Sequence, residues 1–417
     1  ATERLNPTLN AYLHVDFEGA RAEAAEVDAI AAAGGASGPL AGMPVCVKDV
    51  VDVAGMPTTA GGDGWVRRPE EDATAVARLR AAGAIVVGKG NTNEFACGID
   101  GRNPHKGDCR NPWDPARLGG GSSSGPAAAV AAGMAAGAIG SDTSGSIRVP
   151  AALCGVVGIR PTRGLVPAAG VVPLAWTLDA IGPLAPDVAG AALLLDVLAG
   201  RPPAPRPEVA GLRLGVATAL TGLAEEPVAD AIGAAAAGLR EAGAEVVDCA
   251  LPDLGRATAI HRIVQASEVA AVHAPWFGRQ RDRYAPEVRA RIEAGYGLSA
   301  EIYLRAQRHR RVFTRAFAAA MDGLDAVLAP ASPVLAPPVD AEEVTVRGEL
   351  HPVRSALLSC VAPLSQLDCP IVAVPAGLRE GLPVGLQVIG RPGSEALLLQ
   401  VAAAVESNVG PIRPSSR

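Results

Sequence analysis

Short apolar runs of four or five residues alternate with Ala-rich stretches of helical period through the first half of the chain, and this alternation narrows the fold more than any other feature. The periodicity predicts a helix over 17–33, a strand over 44–48, a helix over 72–82 and a buried strand over 84–87. Pro126 opens a helix over 127–136, a strand follows over 138–141, and the next helix opens near Pro150. Strands and helices in such order predict an α/β fold. The second half repeats the pattern, with strands over 212–217 and 245–249 around a helix over 228–242. Long helices between 260 and 321 and short strands over 326–328, 371–374 and 384–389 complete it. The Pro-rich stretch 201–207 (RPPAPRP) divides the halves, 1–200 and 208–417, and reads as a surface crossing within one domain.

Of 417 residues 49% are hydrophobic and 19% charged, which supports a large core and excludes a disordered chain. With 37 basic against 43 acidic residues the formal net charge is −6, and aromatics make up only 3%, so neither a basic footprint nor a stacking platform for nucleic acid is present. The longest apolar stretch, 127–140, has 14 residues. A membrane span needs ~18 to 20. The start at Ala1, without a basic segment leading into an apolar run, reads as a trimmed N-terminus with no secretory signal. Seven cysteines with no Cys-x-x-Cys pair read as reduced core residues of a cytoplasmic protein. Cys97, His105 and Cys109 lack a fourth ligand at finger-like spacing, so neither a metal nor a cofactor is expected.

Lysine occurs only at 48, 89 and 106, the other 34 of the 37 basic residues being Arg. Where Arg serves as the generic cation, a retained Lys points to a need for an amine that can lose its proton. Two motif matches fail on context. The stretch 83–89 (GAIVVGK) imitates a phosphate-cradling loop, but its spacer is made of strand formers and Gly90 stands where a magnesium-binding hydroxyl belongs. The stretch 121–125 (GSSSG) imitates a nucleophile elbow centred on Ser123, but it follows a turn-rich loop and not a strand, with only His309 or His351 to complete a triad.

A third reading joins the scarce lysine to the serine-rich loops. The stretches 120–133 (GGSSSGPAAAVAAG) and 140–161 (GSDTSGSIRVPAALCGVVGIRP) resemble the two halves of the amidase signature, and 42–49 (GMPVCVKD) resembles the segment that carries the family's catalytic lysine. Ser122 and Ser146 stand 24 residues apart, as the family's bridging and nucleophilic serines do. Matches at 88–95, 111–113, 178–183 and 383–387 extend the resemblance over almost the whole chain in the right order. Four positions depart from the common pattern: Gly90, Ser124, Pro126 and Ser144. An additional N-terminal helical segment common in the family is expected to be absent or shortened here.

The resemblance implies one amidase-signature domain over 1–417, with a mixed central sheet and helices on both faces. It also implies a triad in which Ser146 is the nucleophile, Ser122, on a cis peptide bond, relays the proton, and Lys48 is the base. The oxyanion would be held by the backbone amides of Thr143, Ser144, Gly145 and Ser146, with Gly145 supplying unusual dihedrals. For Lys48 to act as base it must be neutral, so burial should lower its pKa from ~10.4 toward neutrality. Ser123 is a candidate second partner for Lys48, Arg148 is expected to brace the loop by pairing with Asp142, and Lys89 is expected to be structural. Val149, where tRNA-amidating A-type subunits commonly carry Gln, is expected to line an apolar substrate pocket, with Trp176 near it. The expected substrate is a small or medium carboxylic amide, with no nucleic acid, no membrane and at most a second copy of the chain in a homodimer. The alternatives are a glutamyl-tRNA amidotransferase A-type subunit that works with a partner and a non-catalytic subunit.

Overall fold

The computed structural model describes residues 1–35, 38–203 and 208–414, so 204–207 of the Pro-rich crossing lie outside the described residues. Thirteen strands are present among them. They are β1 (Tyr12–Val15), β2 (Pro44–Lys48), β3 (Ile85–Gly90), β4 (Gly137–Asp142), β5 (Val157–Arg160), β6 (Ala180–Ala185), β7 (Arg213–Ala217), β8 (Glu245–Cys249), β9 (Ala326–Pro330), β10 (Glu343–Val346), β11 (Glu349–Pro352), β12 (Ile371–Arg379) and β13 (Leu382–Ile389). Eleven of them form one sheet in the order β1-β3-β2-β4-β6-β5-β12-β13-β9-β7-β8, and β10-β11 is a separate hairpin. Parallel pairing joins β3-β2-β4 at one end and β9-β7-β8 at the other. Antiparallel strands fill the middle, where β5 from the first half pairs with β12 from the second. The sheet is therefore mixed, and both halves of the chain share it.

Side chains alternate across each strand, so each strand feeds two cores. Val45 and Val47 enter the large cluster with Leu194, Leu198 and Val401, while Cys46 between them enters a second cluster with Ala127, Ala128 and Val130 of the Ser124–Ala131 helix. Ile139 and Ala138 divide in the same way. Helices consequently cover both faces. Lys48 follows Cys46 by two residues, on the face that meets the Ser124–Ala131 helix.

The Ser124–Ala131 helix opens and closes earlier than its sequence suggests. Pro126 is its third residue, where the missing N–H would have had no intrahelical partner. Gly133, at φ 66°, ends the turn well before 136. The following helix likewise starts at Arg148, two residues before Pro150. No helix among the described residues is long and apolar enough to cross a membrane.

Candidate active site

Lys48 ends β2 with no exposed surface, and its Nζ lies 2.8 Å from Ser122 Oγ. Burial lowers its pKa to about 7 against the opposing pull of Asp142 and Asp179, so a large neutral fraction exists at physiological pH. The Gly121–Ser122 peptide bond is cis. The next amide, Ser123 N–H, donates to the Ser146 carbonyl at 3.0 Å, which ties the loop of Ser122 to the loop of Ser146. Ser146 is buried, and its hydroxyl has no hydrogen bond to a described residue.

Asp142, the last residue of β4, organises the Ser146 loop. Its carboxylate accepts from the amides of Gly145 at 2.9 Å, Ile147 at 3.2 Å and Arg148 at 3.4 Å. The predicted pairing with Arg148 is present, with Nε and Nη2 each at 3.0 Å. Arg160, a residue the sequence reading did not single out, adds a second guanidinium at 3.3 Å. Although burial pushes the Asp142 carboxyl up, the two guanidinium groups hold it well below the usual carboxylate range. One oxyanion expectation is corrected here: the Gly145 N–H is committed to Asp142. The amides of Thr143, Ser144 and Ser146 have no acceptor among the described residues. Gly145 is nonetheless essential to the loop, because it sits at φ 115° and a Cβ would come within 2.4 Å of Val361 Cγ2. Ser144 is not among the positive-φ residues, which is why a side chain is tolerated there. Its Oγ accepts from Gln265 Nε2 at 2.8 Å and lies 2.8 Å from His261 Nε2, an imidazole kept neutral because burial lowers its pKa to about 3.

Several expectations change. Ser123 does not reach Lys48; its Oγ is held by the Ser141 backbone at 3.2 and 3.3 Å, and Lys48 instead meets the Ser141 hydroxyl at 2.8 Å. Val149 does not line the cavity that touches Ser141 and Thr143. It is fully buried with Ile99, Leu118 and Leu153. Trp176 is 49% exposed and borders a cavity of about 210 Å³ that also touches Ser141, Thr143 and Asp179. Thr143 Oγ1 donates to Asp179, whose pKa burial raises to about 6. Lys89 is structural in its contacts, an ion pair with Asp49 at 3.1 Å and a hydrogen bond to Thr58 Oγ1 at 2.8 Å. Asp179 and Ser141 lie inside the matched 178–183 and 140–161 segments and were within reach of the sequence, whereas His261 and Gln265 carry no local signal.

The amidase family model matches residues 1–399. The chain belongs to the amidase family. Its enzyme class is accordingly that of hydrolases of amide C–N bonds. It is 40% identical to the A-type subunit of the glutamyl-tRNA(Gln) amidotransferase of Roseiflexus castenholzii, over 96% of this chain and 89% of that protein. It is 38% identical to AtzE, a 1-carboxybiuret hydrolase subunit of Pseudomonas sp. strain ADP, over 95% of this chain and 91% of that protein. Among solved structures, the peptide amidase from Stenotrophomonas maltophilia superposes with a TM-score of 0.84 at 33% identity, covering 99% of this chain and 92% of that one.

Proposed function

We propose that this amidase hydrolyses the C–N bond of a small or medium carboxylic amide through an acyl-enzyme on Ser146. Neutral Lys48 accepts the Ser122 hydroxyl proton as Ser122 takes the proton of Ser146, and Ser146 Oγ attacks the amide carbon. The developing oxyanion is held by the free amides of the 143–146 loop. The proton returns through Ser122 to the leaving nitrogen, the amine departs, and water attacks the ester by the same route to release the acid. These side chains supply nucleophile, acid and base, so the reading calls for no metal or cofactor.

The observation that carries this reading is a fully buried lysine with Nζ 2.8 Å from Ser122 Oγ, where burial favours the neutral amine. We further propose that the chain acts without tRNA, ATP or a partner protein, at most as a homodimer, in the cytoplasm. Seven free, buried cysteines support a reducing compartment. The similarity to amidotransferase A-type subunits favours a second reading, a glutaminase that works with a partner. Purified protein given aliphatic amides, aryl amides and free glutamine, with ammonia or amine release followed and Ser146→Ala as control, separates the two. Turnover of simple amides by the chain alone supports the first reading; activity confined to glutamine with a partner and ATP supports the second.

A further inference from the structure

Thr143, Ser144 and Gly145, the residues that lead into Ser146, are each held by a different partner. Thr143 Oγ1 donates to Asp179, and the Gly145 N–H donates to Asp142 at 2.9 Å. Asp142 ends β4 and Asp179 directly precedes β6, which pairs with β4. These two anchors therefore belong to the sheet. Between them, the Ser144 hydroxyl accepts from Gln265 Nε2 at 2.8 Å and pairs with His261 Nε2 at 2.8 Å. That anchor comes from outside the sheet, from the Leu254–Gln280 helix. Ser144 departs from the common signature pattern, so the resemblance gives its side chain no part.

His261, Gln265 and Glu268 stand at i, i+4 and i+7 and so share one face of that helix. Glu268 is buried and accepts from the Thr177 N–H at 3.0 Å, from Thr177 Oγ1 at 2.6 Å and from the Tyr303 hydroxyl at 2.8 Å. The helix is thus clamped to the loop beside Asp179 one turn away from the residues that reach Ser144. A neutral imidazole offers Nε2 as an N–H or as a lone pair, and a hydroxyl can answer either. With the Gln265 amide as second contact, the direction of the Ser144 hydroxyl is fixed, and with it the backbone of residue 144. The contact is not a by-product of satisfying His261, whose Nδ1 is left buried without a hydrogen-bond partner among the described residues. The Ser144 N–H is in turn one of the loop amides with no acceptor.

We propose that His261 and Gln265 are positioning residues for the oxyanion site: acting through the Ser144 hydroxyl, they hold the Ser144 N–H toward the carbonyl oxygen of the amide that Ser146 attacks. This deepens the reading of Ser146 as nucleophile and rests on it. Both residues also line a cavity of about 780 Å³. Direct contact with bound substrate is therefore the competing role, and it would move KM instead of kcat.

Double-mutant cycles separate the two roles. Ser144→Ala, Gln265→Leu and His261→Phe each remove one side of the contact with little change of shape. Each should lower kcat by about tenfold with KM changed by less than about twofold, whereas loss of an oxyanion donor itself costs about a hundredfold or more. Labelling of Ser146 by a fluorophosphonate should slow by a similar factor, a readout that needs no substrate. In a Ser144→Ala background neither Gln265→Leu nor His261→Phe should lower kcat further, because the route through the hydroxyl is already gone. His261→Gln, whose amide can meet the same hydroxyl, should recover part of the loss. Circular dichroism identifies any variant that has lost its fold, and the partly exposed Gln265 keeps the test open if His261→Phe unfolds. Multiplicative effects in the double variants, a shift in KM at constant kcat, or full activity of Gln265→Leu would each overturn the proposal. Wild-type protein that labels at Ser146 and hydrolyses amides, matched by all three variants, would remove the positioning role alone. Label or activity that survives Ser146→Ala would remove the nucleophile reading, and the positioning role with it.

Discussion

Lys48 Nζ lies as close to Ser141 Oγ as to Ser122 Oγ, 2.8 Å in each case. A neutral amine has one lone pair, so it can accept from only one of these hydroxyls and must donate to the other. Ser141 is the fixed partner because it belongs to β4, whereas Ser122 lies on the loop tied to that of Ser146, the proposed nucleophile. Ser141 thus aims the lone pair at Ser122.

Removing that partner should lower activity without unfolding the protein. Ser141→Ala removes the 2.8 Å partner and leaves the amine only the Ser141 carbonyl at 3.4 Å, a cost of about 1–3 kcal/mol, which corresponds to a fall in kcat of roughly fivefold to 150-fold if it falls on the aligned state. Steady-state kinetics on the variant checks this. An unchanged kcat would show that Ser122 alone orients the amine.

The pH profile should report Lys48. Burial has lowered its pKa to about 7, and in the proposed mechanism the neutral form is the base, so kcat/KM should rise with pH through about 7 and level off above it. Lys48→Arg should be nearly as damaging as Lys48→Ala, since guanidinium stays protonated. A flat profile or an active Arg variant would take Lys48 out of the reaction.

Asp142 should matter first to stability. It is fully buried against Arg148 and Arg160, and Asp142→Asn leaves two guanidinium groups under-compensated, at a cost of about 3–5 kcal/mol. Its folded pKa lies below the unfolded value of ~3.9, so its contribution is complete above that value and is lost as the pH falls below it. Denaturation curves from neutral to acid pH should therefore show a shallower acid loss in Asp142→Asn.

Val149→Ala tests the corrected placement. In the core the change removes two buried methyl groups, for about 2 kcal/mol of stability, and leaves the order of preference among acyl groups as in the wild type. A changed acyl preference would return Val149 to the substrate pocket.

The elements that position Lys48 and Ser146 were legible because their signals are local. Alternating apolar runs mark β2 and β4, and Gly145 with Asp142 marks a constrained turn after β4. Asp142 with Arg148 was also readable, being six residues apart in one loop. What escaped depends on long closures. Ser141 reaches Lys48 across 93 residues, His261 reaches Ser144 across 117, and Gln265 reaches it across 121. The pocket role expected of Val149 came from the residue type that A-type subunits carry there, whereas its burial with Ile99, Leu118 and Leu153 depends on the packing of distant segments.

The most direct test of the account is the site of covalent labelling. Wild-type protein treated with a fluorophosphonate, digested and sequenced by mass spectrometry should carry the phosphonyl group on Ser146, and Ser146→Ala should be both unlabelled and inactive. Labelling of Ser123, or label and activity retained in Ser146→Ala, would contradict it.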